Sequence, residues 1–512
     1  MKIVSRLALC WTLSFWGLGV GAPLFGLFLQ INQKSEISFF DPVLLSIAKA
    51  TLIQALLSTA ISAVLGLFLG LWVKLTRFIE FLWIFPQSVP AVVAAMVGVL
   101  WLGRSGVLAQ MGVHLDWIYS IKAVILVHVF YNAPWIALGV AQAKSQISES
   151  YIEASRSLGA GWLSRFIWII WPEIRWTLAS YMAQVFSLCV MSFALVLVLG
   201  GGPPVETLET AIYTQMRYGI SNISGAVVCA FWEILLTLIP WGVVLYLNFK
   251  KGKPKTQTIS EKKRSEKKSF LNQIVLYGVC VFWVTPYFVL FSHSAQWEKI
   301  FSIQAEVLTP LKLSLELALC TSILATITAA AAVVTVFSVR SLKTRFLLNW
   351  ILSLPSGLSV LVLGLGVWIL FGAPLEGSFL AMVLLQATLF FPIAFRTFWP
   401  LALDTRKRLI EAAVSLGASP IKAILMVEGK RWKQVGLRVI ALIAGGSIGE
   451  VAAVSLFYSE KLVPLPLLMT RWMSQYRFEE AQSVAAVLLL ISASTVFFVT
   501  YRGGVSWKKD FA

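Results

Sequence analysis

Twelve long apolar stretches, separated by short polar ones, restrict what this chain can fold into more than any other feature. About 20 apolar residues are needed to carry a helix across roughly 30 Å of hydrocarbon, where every backbone N–H and C=O must be satisfied inside the segment. The stretches lie near Leu7–Ile31, Leu44–Val73, Phe78–Leu102, Ala123–Ala143, Trp176–Leu199 and Ser224–Leu247, then Phe270–Ser292, Leu308–Val339, Phe346–Phe371, Ser378–Phe395, Val435–Phe457 and Ala481–Tyr501. Apolar residues make up 58% of the 512 and charged ones only 13%, with a mean hydropathy of +0.81, which excludes an ordinary soluble protein. The expected fold class is an all-α polytopic membrane protein of about 12 transmembrane helices.

A net charge of +18 could suggest nucleic acid, but in a polytopic protein basic residues first report which side each loop faces. With the N-terminus in the cytoplasm, the segments on that side collect most of the Lys and Arg and fewer than half of the acids. The positive-inside pattern therefore predicts both termini cytoplasmic and no nucleic-acid partner. Lys2 and Arg6 precede a run too long for a cleaved signal peptide, so the first span is expected to be retained. Cys10, Cys189, Cys229, Cys280 and Cys320 lie in apolar spans without paired or metal-ligand spacing, and buried packing is expected of them.

Hydropathy collapses between Asn248 and Ser269, where KKGKPKTQTISEKKRSEKKS has no face to bury. This reads as a basic cytoplasmic linker (248–269) between a first six-span domain (1–247) and a second (270–512). The halves align directly: EASRSLGA, beginning at Glu153, corresponds to EAAVSLGA, beginning at Glu411, an offset of 258 residues that also carries Pro134 onto Pro392. Upstream, FPQSVPAVVAAMVGVLW resembles LPSGLSVLVLGLGVWIL at a slightly different offset. Two homologous six-helix halves in one polypeptide follow.

The segment EASRSLGAGWLSRFIWIIWP (153–172) resembles the EAA loop of permeases of binding-protein-dependent ABC importers, matching it at Glu153, Ala154, Gly159, Ile169 and Pro172 with Ser155 and Trp171 as substitutions. The resemblance implies a type I importer permease fold in which this loop forms a short coupling helix that docks on a separate ATPase, with two copies of that subunit binding ATP and Mg and no cofactor in this chain. Ala154 and Gly159 are small enough for another surface to approach the backbone. The second loop (411–430) keeps Glu411, Ala412 and Gly417, then has Val427-Glu428-Gly429-Lys430 where Ile-x-Leu-Pro is expected. The two loops are therefore expected to be unequal, with disruption of Gly159 more harmful than disruption of Gly417. No G-x-x-x-x-G-K-[ST] phosphate loop is present, so energy has to come from a partner.

Ser192 to Gly219 is similar to a region of thiamine-transport permeases in which a span ends Leu-Gly-Gly-Gly-Pro and continues to Glu-x-Ala-Ile-Tyr. Here those places hold Leu199, Gly200, Gly201, Gly202, Pro203, Glu209, Ala211, Ile212 and Tyr213. The resemblance implies uptake of thiamine or its phosphate esters through the inner membrane, delivered by a periplasmic binding protein; ferric-iron permeases share the overall plan and remain the alternative. His114, His128 and His293 are far apart in sequence, and no metal site is expected. Glu450 in GGSIGEVAAVSLF is the candidate for the pathway or its gate, since a charge in hydrocarbon normally faces a partner or a water-filled cavity; a structural hydrogen bond is the competing role. Arg471, Arg477, Glu479 and Glu480, in a periplasmic loop, are candidate contacts for the binding protein. An ion-coupled secondary transporter also uses duplicated halves but has no need of paired EAA loops; an enzyme is disfavoured by the absence of H-E-x-x-H.

Overall fold

Local signals start the helices where the sequence changes character. The Asp41 carboxylate accepts from the amides of Val43 and Leu44 at 2.8 and 3.1 Å with Pro42 in the first turn, and Ser120, Thr76, Ser341 and Ser359 cap later helices in the same way. The computed structural model describes residues 2–33, 38–73, 75–200, 205–217, 223–250, 270–291, 304–339, 341–372, 375–403 and 405–497. The first half comprises α1 (Lys2–Trp16), α2 (Ala22–Gln33), α3 (Pro42–Trp72), α4 (Arg77–Ser88), α5 (Ala91–Leu102), α6 (Val107–Gln110), α7 (Ile121–Ser145), α8 (Glu149–Ser157), α9 (Trp162–Arg165), α10 (Trp171–Val190), α11 (Ala194–Leu199), α12 (Leu208–Arg217) and α13 (Ile223–Lys250). The second comprises α14 (Phe270–Phe288), α15 (Gln304–Ser338), α16 (Leu342–Ser353), α17 (Val360–Phe371), α18 (Phe379–Leu403), α19 (Lys407–Ser415), α20 (Pro420–Ser447), α21 (Ala452–Phe457), α22 (Leu465–Ser474) and α23 (Phe478–Phe497). The expected linker begins while α13 is still helical, at Asn248–Lys250, and its remainder lies outside the described residues.

The 258-residue offset carries whole elements. It takes α7 onto α18, α8 onto α19 and α11 onto α21, end to end. Four predicted single spans are nevertheless broken. Phe78–Leu102 divides at Val89-Pro90, Trp176–Leu199 at Met191–Phe193, Phe346–Phe371 at Leu354–Ser359, and Val435–Phe457 at Ile448–Val451. Proline accounts for the first break and contributes to the third, where Pro355 opens a 3₁₀ turn and the two helices meet at 93°. Seven helices among the described residues are long and apolar enough to cross a membrane, and the bent pair makes an eighth. The other four expected spans are interrupted, carry charge, or are only partly described. Joined across their breaks, the described helices are compatible with the six crossings expected of each half.

The halves exchange their first spans. The α1 helix lies along α15, with the Trp11 indole donating to Thr328 Oγ1 at 3.0 Å, and α2 lies along α17. There the backbones touch: a Cβ on Gly366 would collide with the Pro23 carbonyl, and one on Gly26 with the Gly366 carbonyl. Reciprocally, α14 packs on the first half. Pro134 cannot supply the N–H that would bind the Phe130 carbonyl, and Trp283 of α14 donates to that carbonyl at 2.7 Å while Gln87 donates to the Tyr131 carbonyl at 3.2 Å.

Each half also has a buried polar knot at the same repeat position. Gln54 and Ser192 lie 2.5 and 2.9 Å from the two ring nitrogens of His128, joining α3, α7 and the segment after α10; 258 residues on, Gln386 Oε1 accepts from Thr321 and Ser447 at 3.1 and 2.6 Å. His128→Gln is expected to be tolerated, because the second half already uses glutamine there. His128→Leu should cost about 1–3 kcal/mol by stranding buried partners, read as a lower melting temperature of the solubilised protein. Cys189 and Cys229 are buried as expected, whereas Cys10 and Cys320 face outward on spans whose outer surface meets lipid.

Candidate functional site

Two helical hairpins at equivalent repeat positions carry the segments expected to couple to an ATPase. The α8 and α19 helices have the same length, and each ends in the same turn: Gly159 at φ +75° and Gly417 at φ +90°. Ala160 N–H donates to the Ser155 carbonyl and Ala418 N–H to the Ala413 carbonyl, 2.9 and 3.1 Å, closing a Schellman motif in both. A Cβ on either glycine would meet nothing within 4 Å, so it is the left-handed backbone that calls for glycine here, and the space around it is open. Gly159→Ala and Gly417→Ala should each weaken the turn by roughly 1–2 kcal/mol, measured as faster amide exchange at the end of the coupling helix.

Glu153, Ala154, Glu411 and Ala412 are all exposed. Beside them Leu158 and Leu416, at equivalent positions, are 86% and 88% exposed, large apolar side chains with no cover from this chain. The helices leave the loops differently. Pro172 sits in the first turn of α10, after a π turn over Phe166–Ile170 that absorbs an extra residue, whereas α20 runs unbroken from Pro420 to Ser447.

Three of the helix breaks, at Val89-Pro90, Leu354–Ser359 and Ile448–Val451, meet the other half of the chain, and the seam between the halves runs through them. Gly449, beside Glu450, lies so close to Pro90 that a Cβ would collide with the proline ring. The Tyr131 hydroxyl donates to the Val89 carbonyl, and Thr237 Oγ1 donates to the Gly357 carbonyl at 2.5 Å. Interrupted helices within a bilayer are tolerated only where protein or a cavity surrounds them, and such breaks are where transporters hold their cargo. Glu450 is partly exposed there; its Oε1 accepts from the Ala452 amide at 2.8 Å, so it caps α21. Glu450 thus holds a helix end at the seam.

Two acids join it. Glu209, in the first turn of α12, and Glu233, within α13, are buried, and their carboxyls face each other and Ser359, the cap of α17 in the other half. Neither oxygen of Glu233 nor Oε2 of Glu209 has a hydrogen-bond donor among the described residues. In the sequence Glu209 stands out only as part of a motif, and Glu233 belongs to none. The signal was present, since FWEILL places a carboxylate in the middle of an apolar run, where charge is costly. Gly201, Gly202 and Pro203 of the same motif lie outside the described residues.

The segments expected as periplasmic loops, 204–218 and 459–480, contain helices α12 and α22. Each helix start is tied to a long span in the same way: Leu208 N–H to Thr51 Oγ1 at 3.0 Å, and Leu465 N–H to Ser314 Oγ at 2.7 Å. Tyr458 lies between two guanidiniums, Arg217 at 4.0 Å and Arg471 at 4.8 Å from the ring centroid, and Arg217 also pairs with Glu376 at 3.4 Å. Burial pushes the Tyr458 hydroxyl pKa up, but the two arginines outweigh it and leave it below the ordinary value. Arg477 pairs with Glu306 and Glu480 at 3.2 and 3.3 Å, and Glu479 opens α23. Lys312 and Glu316 form an i,i+4 pair at 3.9 Å. Among the described residues no group of three His, Cys, Asp or Glu could hold a metal ion.

Residues 62–251 match the family described as binding-protein-dependent transport system inner membrane component. The chain is also similar along most of its length to proteins named thiamine transport system permease protein: 28% identical to that of Brucella abortus (strain 2308), covering 92% of this chain and 90% of the relative. The protein of Haemophilus influenzae is 26% identical over 88% and 87%, and that of Escherichia coli (strain K12) 24% identical over 88% of each chain. Duplicated halves rich in membrane-crossing helices, paired hairpins at one repeat position and these likenesses point the same way: residues 62–251 resemble an inner-membrane component of binding-protein-dependent transport, and the chain as a whole resembles multi-pass inner-membrane permeases.

Proposed function

We propose that this permease imports thiamine, or its phosphate esters, handed over by a periplasmic binding protein and driven by ATP hydrolysis in a separate subunit. Domains 1–247 and 270–512, joined by the basic 248–269 linker, each offer one hairpin, so two ATPase copies bind, through Glu153, Ala154, Gly159 and Pro172 on one side and Glu411, Ala412 and Gly417 on the other. ATP and Mg reside on those subunits and no cofactor in this chain. Both termini are cytoplasmic. The observation that carries the reading is the identity of α8 and α19 in length, turn and exposed leucine.

Thiamine carries a fixed positive charge on its thiazolium ring, and Glu209, Glu233 and Glu450 are acids at the seam whose ionised form would complement it. Arg471, Arg477, Glu479 and Glu480 receive the binding protein. The test is uptake of labelled thiamine into proteoliposomes containing the permease with its ATPase and binding protein. ATP-dependent uptake is expected; uptake driven by an ion gradient without the ATPase would overturn the importer reading, and selective binding of ferric iron by the partner protein would overturn the cargo.

A further inference from the structure

The second coupling loop departs from its pattern at Val427-Glu428-Gly429-Lys430, and the structure gives Glu428 a task that its counterpart 258 residues earlier, Ile170, cannot perform. The Glu428 side chain is only 2% exposed. Its Oε1 accepts from the backbone N–H of Arg406 at 2.9 Å, and its Oε2 lies 3.1 Å from Nη1 of Arg431. Arg406 is the N-cap of α19 and has no side-chain cap of its own. A buried carboxylate is tolerated when both oxygens are engaged, and here one engages the start of the coupling helix and the other the helix on which Glu428 itself stands.

The α19 helix is therefore held to α20 at both ends, by the Gly417 turn at its C-terminus and by Glu428 at its N-terminus. That unbroken α20 leads to Ile448–Val451, where Glu450 faces the seam. The first half has the other arrangement, a π turn and Pro172 between the hairpin and α10. We infer that Glu428 is a positioning residue that clamps the second coupling helix to α20, so that movement imposed on α19 is delivered to the seam; the inference rests on the coupling role proposed above.

The test uses the complete permease, alone in detergent and reconstituted with its ATPase and binding protein. Two readouts are taken: amide exchange over 407–415, and thiamine imported per ATP hydrolysed. In Glu428→Leu, exchange should quicken about tenfold or more and import per ATP should fall by a similar factor while hydrolysis continues, as expected for loss of a hydrogen bond to a charged group. Glu428→Gln retains an oxygen for the Arg406 amide and should stay within about threefold of wild type in both. Unchanged exchange in Glu428→Leu overturns the clamp. Faster exchange with unchanged import per ATP overturns its role in coupling. If Glu428→Leu does not assemble, Arg431→Gln, which leaves the carboxylate one partner short, takes its place with the same expectations. Failure of the importer reading shows itself separately, as wild-type complex without ATP-dependent uptake, and leaves the exchange measurement to judge the clamp.

Discussion

Replacing both Glu209 and Glu233 with glutamine is expected to lower thiamine uptake about tenfold or more, with the complex still assembled and still hydrolysing ATP. On the proposed reading, an ionised carboxylate that meets a passing cation supplies a charge-assisted contact, and glutamine at both positions removes that attraction with little change in side-chain volume. Glutamine fits because the pair lies where α12, α13 and the Ser359 cap of α17 meet, so an isosteric change leaves that junction filled. Uptake should be compared with the melting temperature of the same preparation. A melting temperature that falls together with uptake assigns the acids to holding the seam closed, and unchanged uptake removes them from the pathway.

Gly366→Val should destabilise the protein more than any other single change discussed above. The new side chain would collide with the Pro23 carbonyl, a backbone atom that can give way only if α2 moves off α17. Overpacking of this kind costs about 1–3 kcal/mol or more. Gly242→Val is the matched control: that glycine also lies inside a helix, but a Cβ there meets nothing within 4 Å, and its effect should stay within roughly 0.5 kcal/mol. Thermal unfolding in detergent should show a clear loss for Gly366→Val and almost none for Gly242→Val. Equal melting temperatures would mean that the exchanged span is not held at this crossing.

Much of the architecture was legible because apolar length and repeat are properties of the chain itself. The 258-residue offset read from EASRSLGA and EAAVSLGA proved to be the offset of entire helices. The breaks were not legible in the same way. A proline at position 90 interrupts a span, while Pro134 sits inside α7 and leaves it continuous, because Trp283 and Gln87 come from elsewhere to satisfy the carbonyls it exposes. Hydropathy along one segment cannot report partners that arrive from another. Glu428 shows the same limit: in sequence it is the loss of a motif, and only its distance to the Arg406 amide shows what has replaced it.

The exchange of first spans has a consequence for biogenesis. Gly19, Pro23 and Gly26 find their partners at Thr388 and Gly366, more than 300 residues downstream. At about 5–20 residues per second, the ribosome takes tens of seconds to produce that stretch, so the first span enters the membrane well before the surface it fits exists. During that interval its glycine-lined face meets only lipid or the insertion machinery. A chain that stops within the second half would leave that face permanently uncovered, a mark by which membrane quality control could distinguish an incomplete permease from a finished one.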